Sequence, residues 1–188
     1  MAAQVTTSTD KVLRQPILGS RRFSNMLWAS VSAIGGIGFL LAGLSSYFHK
    51  NLLGVSDPSN IQFIPQGAAL TFYGVAGTLL SAYLWFVFFL DVGGGYNEFN
   101  KETGKVTIFR HGFVGKNRII NFQYPLKDIL SIRAEIKEGL NPRRVLYLRV
   151  KNRGDIPLNR VGEPIPLAEL ENQGAELARF LTIPLEGL

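Results

Sequence analysis

Two long runs of uncharged, mostly apolar residues stand out from an otherwise mixed chain. Phe23–Phe48 lies between Arg22 and His49 and holds no Asp, Glu, Lys or Arg; Gly67–Leu90 is equally free of charge up to Asp91. A helix needs roughly 20 apolar residues to cross a hydrocarbon core about 30 Å thick, and both runs exceed that. Lipid offers the backbone no hydrogen-bond partner, so each run is predicted to be an α-helix that satisfies its own amides. Two buried core helices are the alternative, which a soluble domain of this length seldom needs. The pattern predicts a transmembrane hairpin over residues 23–91, with spans at 23–48 and 67–90 and a translocated loop at 49–66.

Charge orients the hairpin. Asp10, Lys11, Arg14, Arg21 and Arg22 precede the first span, Lys50 and Asp57 cancel between the spans, and most remaining basic residues follow the second. Basic flanks stay on the side of insertion, which puts both termini on the cytoplasmic or stromal side. Trp28 and Trp85 near one end, with Tyr47 and Tyr73 near the other, fit interfacial aromatic belts. Small residues recur at four-residue spacing: Gly38, Ala42 and Ser46 in the first span, Gly74, Thr78 and Ala82 in the second. Faces of this kind let helix backbones approach closely, so these residues are the expected helix-packing positions. Neither span carries an ionisable residue, which argues against an ion or proton path.

Beyond the second span the period changes to two. Val106 and Ile108 alternate with Lys105 and Thr107; Ile120, Phe122 and Tyr124 with Asn121 and Gln123. Leu130, Ile132, Ala134 and Ile136 oppose Ser131, Arg133, Glu135 and Lys137, and Leu146, Leu148 and Val150 oppose Tyr147 and Arg149. Short alternating strands at close spacing predict a sandwich or partly open barrel. Lys101–Gly104 reads as a hairpin turn with Gly at the position of positive φ. Gly93–Gly95 leads into a strand rather than a helix, so it reads as a hinge and not a phosphate cradle. Pro157, Pro164 and Pro166 break the strand pattern. Leu167, Leu170, Gly174, Leu177 and Leu181 then form a helical stripe, predicting an amphipathic helix over 167–181. The expected fold is α+β: the two-helix hairpin, then an antiparallel barrel or sandwich like that of pleckstrin-homology domains, closed by the C-terminal helix. Residues 1–22 are expected to be a cytoplasmic or stromal tail, loosely ordered from Met1 to Ser20, and 92–188 the soluble β-rich domain.

Composition narrows the chemistry. The net charge is +6 and the pI near 9.7. That suits an anionic membrane surface. The positives are scattered among strands rather than gathered on one motif, which disfavours nucleic acid. With no cysteine there is no disulfide, thiolate metal site or thiol nucleophile. His49 and His111 are the only histidines and lie far apart in sequence. They offer no zinc site, triad or redox centre, and the carboxylates form no acid–base pair. No catalytic residue, metal or cofactor is expected. A lone pigment-binding role for His49 is the sharper alternative to its being simply polar.

The chain resembles a known family, the photosystem I assembly factor of cyanobacterial and plastid thylakoids, also described as the plastid hypothetical reading frame four product. The resemblance spans nearly the whole sequence: the basic N-terminus, two close spans, and Asn97-Glu98-Phe99-Asn100 through Lys105-Val106-Thr107-Ile108-Phe109-Arg110. It continues in Gly112-Phe113-Val114-Gly115-Lys116-Asn117-Arg118, Asp128-Ile129 and Glu176-Leu177-Ala178-Arg179-Phe180-Leu181. The short N-terminus fits a bacterial or plastid-encoded copy. The resemblance implies a non-catalytic thylakoid membrane protein whose partners are photosystem I subunits, their assembly intermediates and thylakoid lipids; a homo-oligomer is left open. It also implies functional weight for a basic residue in the Phe-Arg pair and for acids early in the last helix, here Arg110, Glu169 and Glu171.

The residues themselves leave alternatives. Arg110 shares the parity of Val106 and Ile108, so it is expected either at the barrel mouth or paired with a carboxylate. Glu169 and Glu171 either complement the helix dipole, pair with Arg110, or hold a basic partner surface. Arg143, Arg144, Lys151 and Arg153 bracket one strand as a solvated rim or as a contact for anionic lipid or an acidic subunit. The rival functions are a membrane-anchored lipid-binding module and a pigment carrier.

Overall fold

In the computed structural model, residues 7–116, 118–140, 142–159 and 165–187 are described. They form two compact units. One is Ser20–Val92; the other joins the N-terminal residues up to Gly19 to the chain from Gly93 onward.

The first unit is a helical hairpin of α1 (Phe23–Phe48) and α2 (Ala68–Leu90). Both helices are long and apolar enough to cross a membrane. Only 22% and 11% of their most apolar stretches are buried within the chain, far less than a soluble core helix requires. Large side chains such as Ile34, Phe72 and Leu79 point outward. The buried seam is made of small residues at a spacing of seven, not four: Ala29, Gly36 and Gly43 on α1 face Gly67, Gly74 and Ser81. A seven-residue repeat keeps one stripe facing its partner as two helices wind around each other. A Cβ on Gly36 would lie 2.5 Å from the Thr78 amide nitrogen; one on Gly74 would strike the backbone of Leu40. Polar atoms in the seam bond across it or back to their own helix. The Ser81 hydroxyl donates to the Ala29 carbonyl at 3.1 Å, and Thr78 donates to Gly74 at 2.8 Å.

This geometry revises the expected packing face. A Cβ on Gly38 meets open space, and Ala82 is exposed. Of the six positions picked at four-residue spacing, Gly74 and Ser46 are buried, while Thr78 and Ala42 are half-buried at the margin. The four-residue reading fails because a stripe that steps by four rotates around the helix, whereas seven residues nearly close two turns.

The second unit is a two-sheet sandwich. One sheet has the order β1-β2-β3-β4-β5: β1 (Thr7–Thr9), β2 (Val12–Ile17), β3 (Gly95–Asn100), β4 (Lys105–His111) and β5 (Ile119–Pro125). The other has β8-β7-β6-β9: β6 (Ile129–Lys137), β7 (Arg143–Val150), β8 (Gly154–Pro157) and β9 (Leu185–Glu186), with β9 parallel to β6. Of the expected barrel or sandwich, the barrel is not formed: among the described residues, neither sheet closes on itself or on the other. The tail expected over residues 1–22 is also revised, because Val12–Ile17 pairs antiparallel with Gly95–Asn100. Leu13 is fully buried against Phe99, so the N-terminal strand is a core element.

The core joins Leu13, Phe99, Val106 and Ile108 of the first sheet to Ile132, Leu146 and Leu148 of the second. Helix α3 (Leu167–Leu181) packs on β6, β7 and β9 through Leu170, Gly174 and Leu177, with Gly174 seated between Leu146 and Leu185. The hairpin turn before β4 forms as expected, with Gly104 at φ 65°. A bulge between Ile129 and Ser131 shifts the alternation of β6. It turns Leu130 out to 49% exposure and Ser131 inward. Pro157 ends the edge strand β8 rather than breaking it, as an edge permits; Pro164 lies outside the described residues.

The hairpin seam gives a paired expectation. Gly74→Leu should prevent close approach of the helices, at a cost of about 1–3 kcal/mol or more, whereas Gly38→Leu should be tolerated. Thermal unfolding and accumulation of the two full-length variants in membranes check this; equal behaviour of both would discard the seven-residue seam.

Candidate functional site

Arg110 sits on the inward face of β4, beyond Ile108 and opposite Gly95. Inward parity follows from the alternation with Val106 and Ile108, and the partners differ from those expected. Nη1 donates to the carbonyls of Tyr96 at 3.0 Å and Phe109 at 2.8 Å. Nη2 donates to Asn97 Oδ1 at 2.6 Å and to the Leu158 carbonyl at 2.9 Å. All four Nη hydrogens are therefore used, and none of these acceptors is a carboxylate. Asn97 is itself fully buried, and its Nδ2 donates to the same Leu158 carbonyl at 2.8 Å. A side-chain pair from one sheet thus grips the backbone that leaves the other, just after β8. Burial lowers the Arg110 pKa to about 10, which leaves the guanidinium charged throughout the physiological range. Gly95 is required across from it: a Cβ there would collide with the Phe109 carbonyl.

Asn97 was not among the residues singled out from sequence, although a signal exists. In β3 it shares the parity of Phe99, so an amide is placed on the core face, where it needs a specific partner.

Glu169 and Glu171 lie on the exposed side of the first turns of α3. Glu169 accepts a hydrogen bond from Gln173 Nε2 at 3.2 Å and stands in the first turn, where an acid complements the helix dipole. Neither meets Arg110, whose guanidinium points into the sandwich; the expected internal pair is absent among the described residues. The structure separates the two candidate sets, one half-buried between the sheets and one on the surface.

The outer face of the second sheet carries a chain of ion pairs. Asp155 joins Arg133 at 3.0 Å and Arg149 at 3.1 Å, and Arg149 reaches Glu186 at 2.8 Å. The Arg149 hydrogen bond holds the Asp155 carboxyl below the usual carboxylate range. Arg144 pairs with Glu138 at 2.9 Å, so this member of the basic rim is internally matched. His49 is exposed, with Nδ1 3.3 Å from the Ser59 carbonyl oxygen; His111 packs edge-on against Phe109.

Residues 10–179 match the Ycf4 family. The chain belongs to that family. It is 69% identical over 188 residues to the photosystem I assembly protein Ycf4 of Rippkaea orientalis, covering 100% of both chains. It is similar at 65% identity to the protein of that name from Microcystis aeruginosa and at 63% to that from Synechocystis, again over the full length of each. The half-buried Arg110 knot and the exposed α3 acids both fall within the stretch that matches the Ycf4 family.

The Arg110 geometry yields a stability test on this Ycf4 chain. Arg110→Met keeps much of the volume but strips Asn97 Oδ1 and the Tyr96 carbonyl of a donor, costing on the order of 3 kcal/mol. Arg110→Lys keeps the charge with fewer, differently placed donors and should recover part of the loss. Denaturant unfolding of the full-length protein in mild detergent measures both; an unchanged midpoint for Arg110→Met would remove the knot from the account of stability.

Proposed function

We propose that this protein is a membrane-held, non-catalytic assembly factor for photosystem I, acting in the thylakoid membrane as a scaffold for partly built complexes. The observation that carries the reading is full-length similarity, at 69% identity, to a protein named for photosystem I assembly. Two long apolar helices with mostly unburied surfaces support a membrane hairpin. The charge asymmetry around them supports placing both termini on the cytoplasmic side. A scaffold must bind intermediates and release the finished complex, which favours moderate, partly electrostatic contacts.

Within this reading Glu169 and Glu171 dock a basic partner surface, because both are exposed and neither contributes to the sandwich core. Arg110 acts differently. Its guanidinium is turned inward, so it serves as a positioning residue that keeps the two sheets, and whatever surface they present, in register. The hairpin's outward-facing apolar side chains are assigned to thylakoid lipid and to partner helices. Gly38 and Ala82, which lie outside the seam, belong to that outer surface.

The combined variant Glu169→Gln, Glu171→Gln removes charge and preserves shape. Its melting temperature should remain within a few degrees of the parent, since exposed pairs usually contribute under about 1 kcal/mol. Photosystem I accumulation and co-purified reaction-centre polypeptides should fall. Normal photosystem I levels with unchanged recovery would exclude the docking role. For topology, protease applied to the cytoplasmic face of sealed vesicles should digest the domain beyond Gly95; its protection would invert the orientation.

A further inference from the structure

β5 is the last strand of its sheet, and its outer edge has no strand beside it among the described residues. His111 of β4 exchanges backbone hydrogen bonds with Gly93 and Gly94, on the β3 side. Alternation along an antiparallel ladder therefore turns Val106, Ile108 and Arg110 toward β5. Through the register of β4 with β5, it leaves the backbone groups of Ile119, Asn121 and Gln123 directed outward. Natural edges repel added strands with charged side chains, yet Ile119–Pro125 carries none, and only Pro125 at its end blunts it.

The sandwich is also open at this edge. Phe122 pairs with Ile108 and belongs to the same inward row, but Ile108 is 3% exposed and Phe122 is 51% exposed. The turn from β7 into β8 stands away from it. A groove of about 320 Å³ separates Phe122 and Tyr124 from Val150, Lys151 and Arg153. The ends of the edge are basic. Lys116 and Arg118 precede β5, Lys127 follows it, and Lys151 and Arg153 rise from the facing wall, against a single anion in the groove lining, Asp128.

We propose that this edge receives an extended, acidic segment of a partner protein as an added strand. Main-chain hydrogen bonds to Asn121 and Gln123 would supply affinity, an apolar side chain would cover Phe122, and a carboxylate would meet Lys151 and Arg153. A second copy of this chain is the poorer occupant. Antiparallel pairing of β5 with β5 would set Lys116 and Arg118 of one copy beside Lys151 and Arg153 of the other, a juxtaposition of like charges. The inference rests on the assembly reading in taking the segment from a photosystem I polypeptide, and it uses a surface distinct from the α3 acids.

The test uses the full chain in thylakoids, with photoreactive benzoylphenylalanine in place of Phe122. Irradiation should link it to an acid-containing peptide of a photosystem I polypeptide. The combination Lys151→Glu, Arg153→Glu should lower the adduct about tenfold through charge repulsion. Gln123→Pro should do the same by removing an outward N–H at an edge position where proline is tolerated. Adduct yield unchanged in both variants, an adduct to a second copy, or a linked peptide without acids overturns the proposal. So does the absence of any adduct while the parent protein still recovers photosystem I polypeptides. If the parent recovers none of these polypeptides, the assembly reading falls; an edge-dependent adduct to another acidic segment would then keep the strand site and reassign its partner.

Discussion

The β-rich unit is organised around one half-buried charge held by neutral oxygens. Its two sheets share an apolar core, but apolar contact is non-directional and does not by itself choose how far the sheets overlap. The Arg110–Asn97 pair does. By converging on the Leu158 carbonyl, it binds the middle of the first sheet to the backbone just beyond β8, the edge strand of the second. A guanidinium placed there without acceptors would be costly to desolvate, so alternative overlaps that separate it from these oxygens are disfavoured. The same requirement accounts for Gly95, where the neighbouring strand must come close without a side chain.

The hairpin solves a different problem with almost no polar chemistry. Where both the seam and the outside of a helix pair are apolar, burial offers little to distinguish one face from another, and backbone approach decides. Alanine, glycine and serine at every seventh position give that approach, and the Ser81 and Thr78 hydroxyls find carbonyls across the seam or on their own helix. Bulky residues are thereby left to the outside. The outer faces of the two helices present aromatic and aliphatic surface.

The hydrogen-bonding hydrogens on both Nη atoms of Arg110 are taken up within the sandwich, so the candidate contacts lie elsewhere on its surface. The candidate contact surfaces differ in sign and in kind. The α3 acids form a convex anionic rim, the β5 edge is an uncharged strand between basic ends, and the hairpin exterior is apolar. Under the scaffold proposal, several modest contacts of different kinds suit binding that the finished complex can displace.

Much of this was legible in the residues alone. Uncharged runs longer than a bilayer is thick marked the two helices; period-two alternation marked most strands; and a 3.6-residue stripe marked α3. The inward parity of Arg110 was readable too, because strand alternation is a local property. Pairings across long sequence separations were not. Nothing local reveals that Val12–Ile17 pairs with the strand beginning at Gly95, which of barrel and sandwich forms, or that Arg110 meets the carbonyl of Leu158 rather than a carboxylate. The bulge at Ser131 reversed a face for the same reason, since an extra residue is defined only by the partner strand. Sequence periodicity determined which elements exist and which side of each is apolar. Tertiary structure alone decided which elements meet, because contact between distant segments depends on complementarity across the interface and not on the pattern within either one.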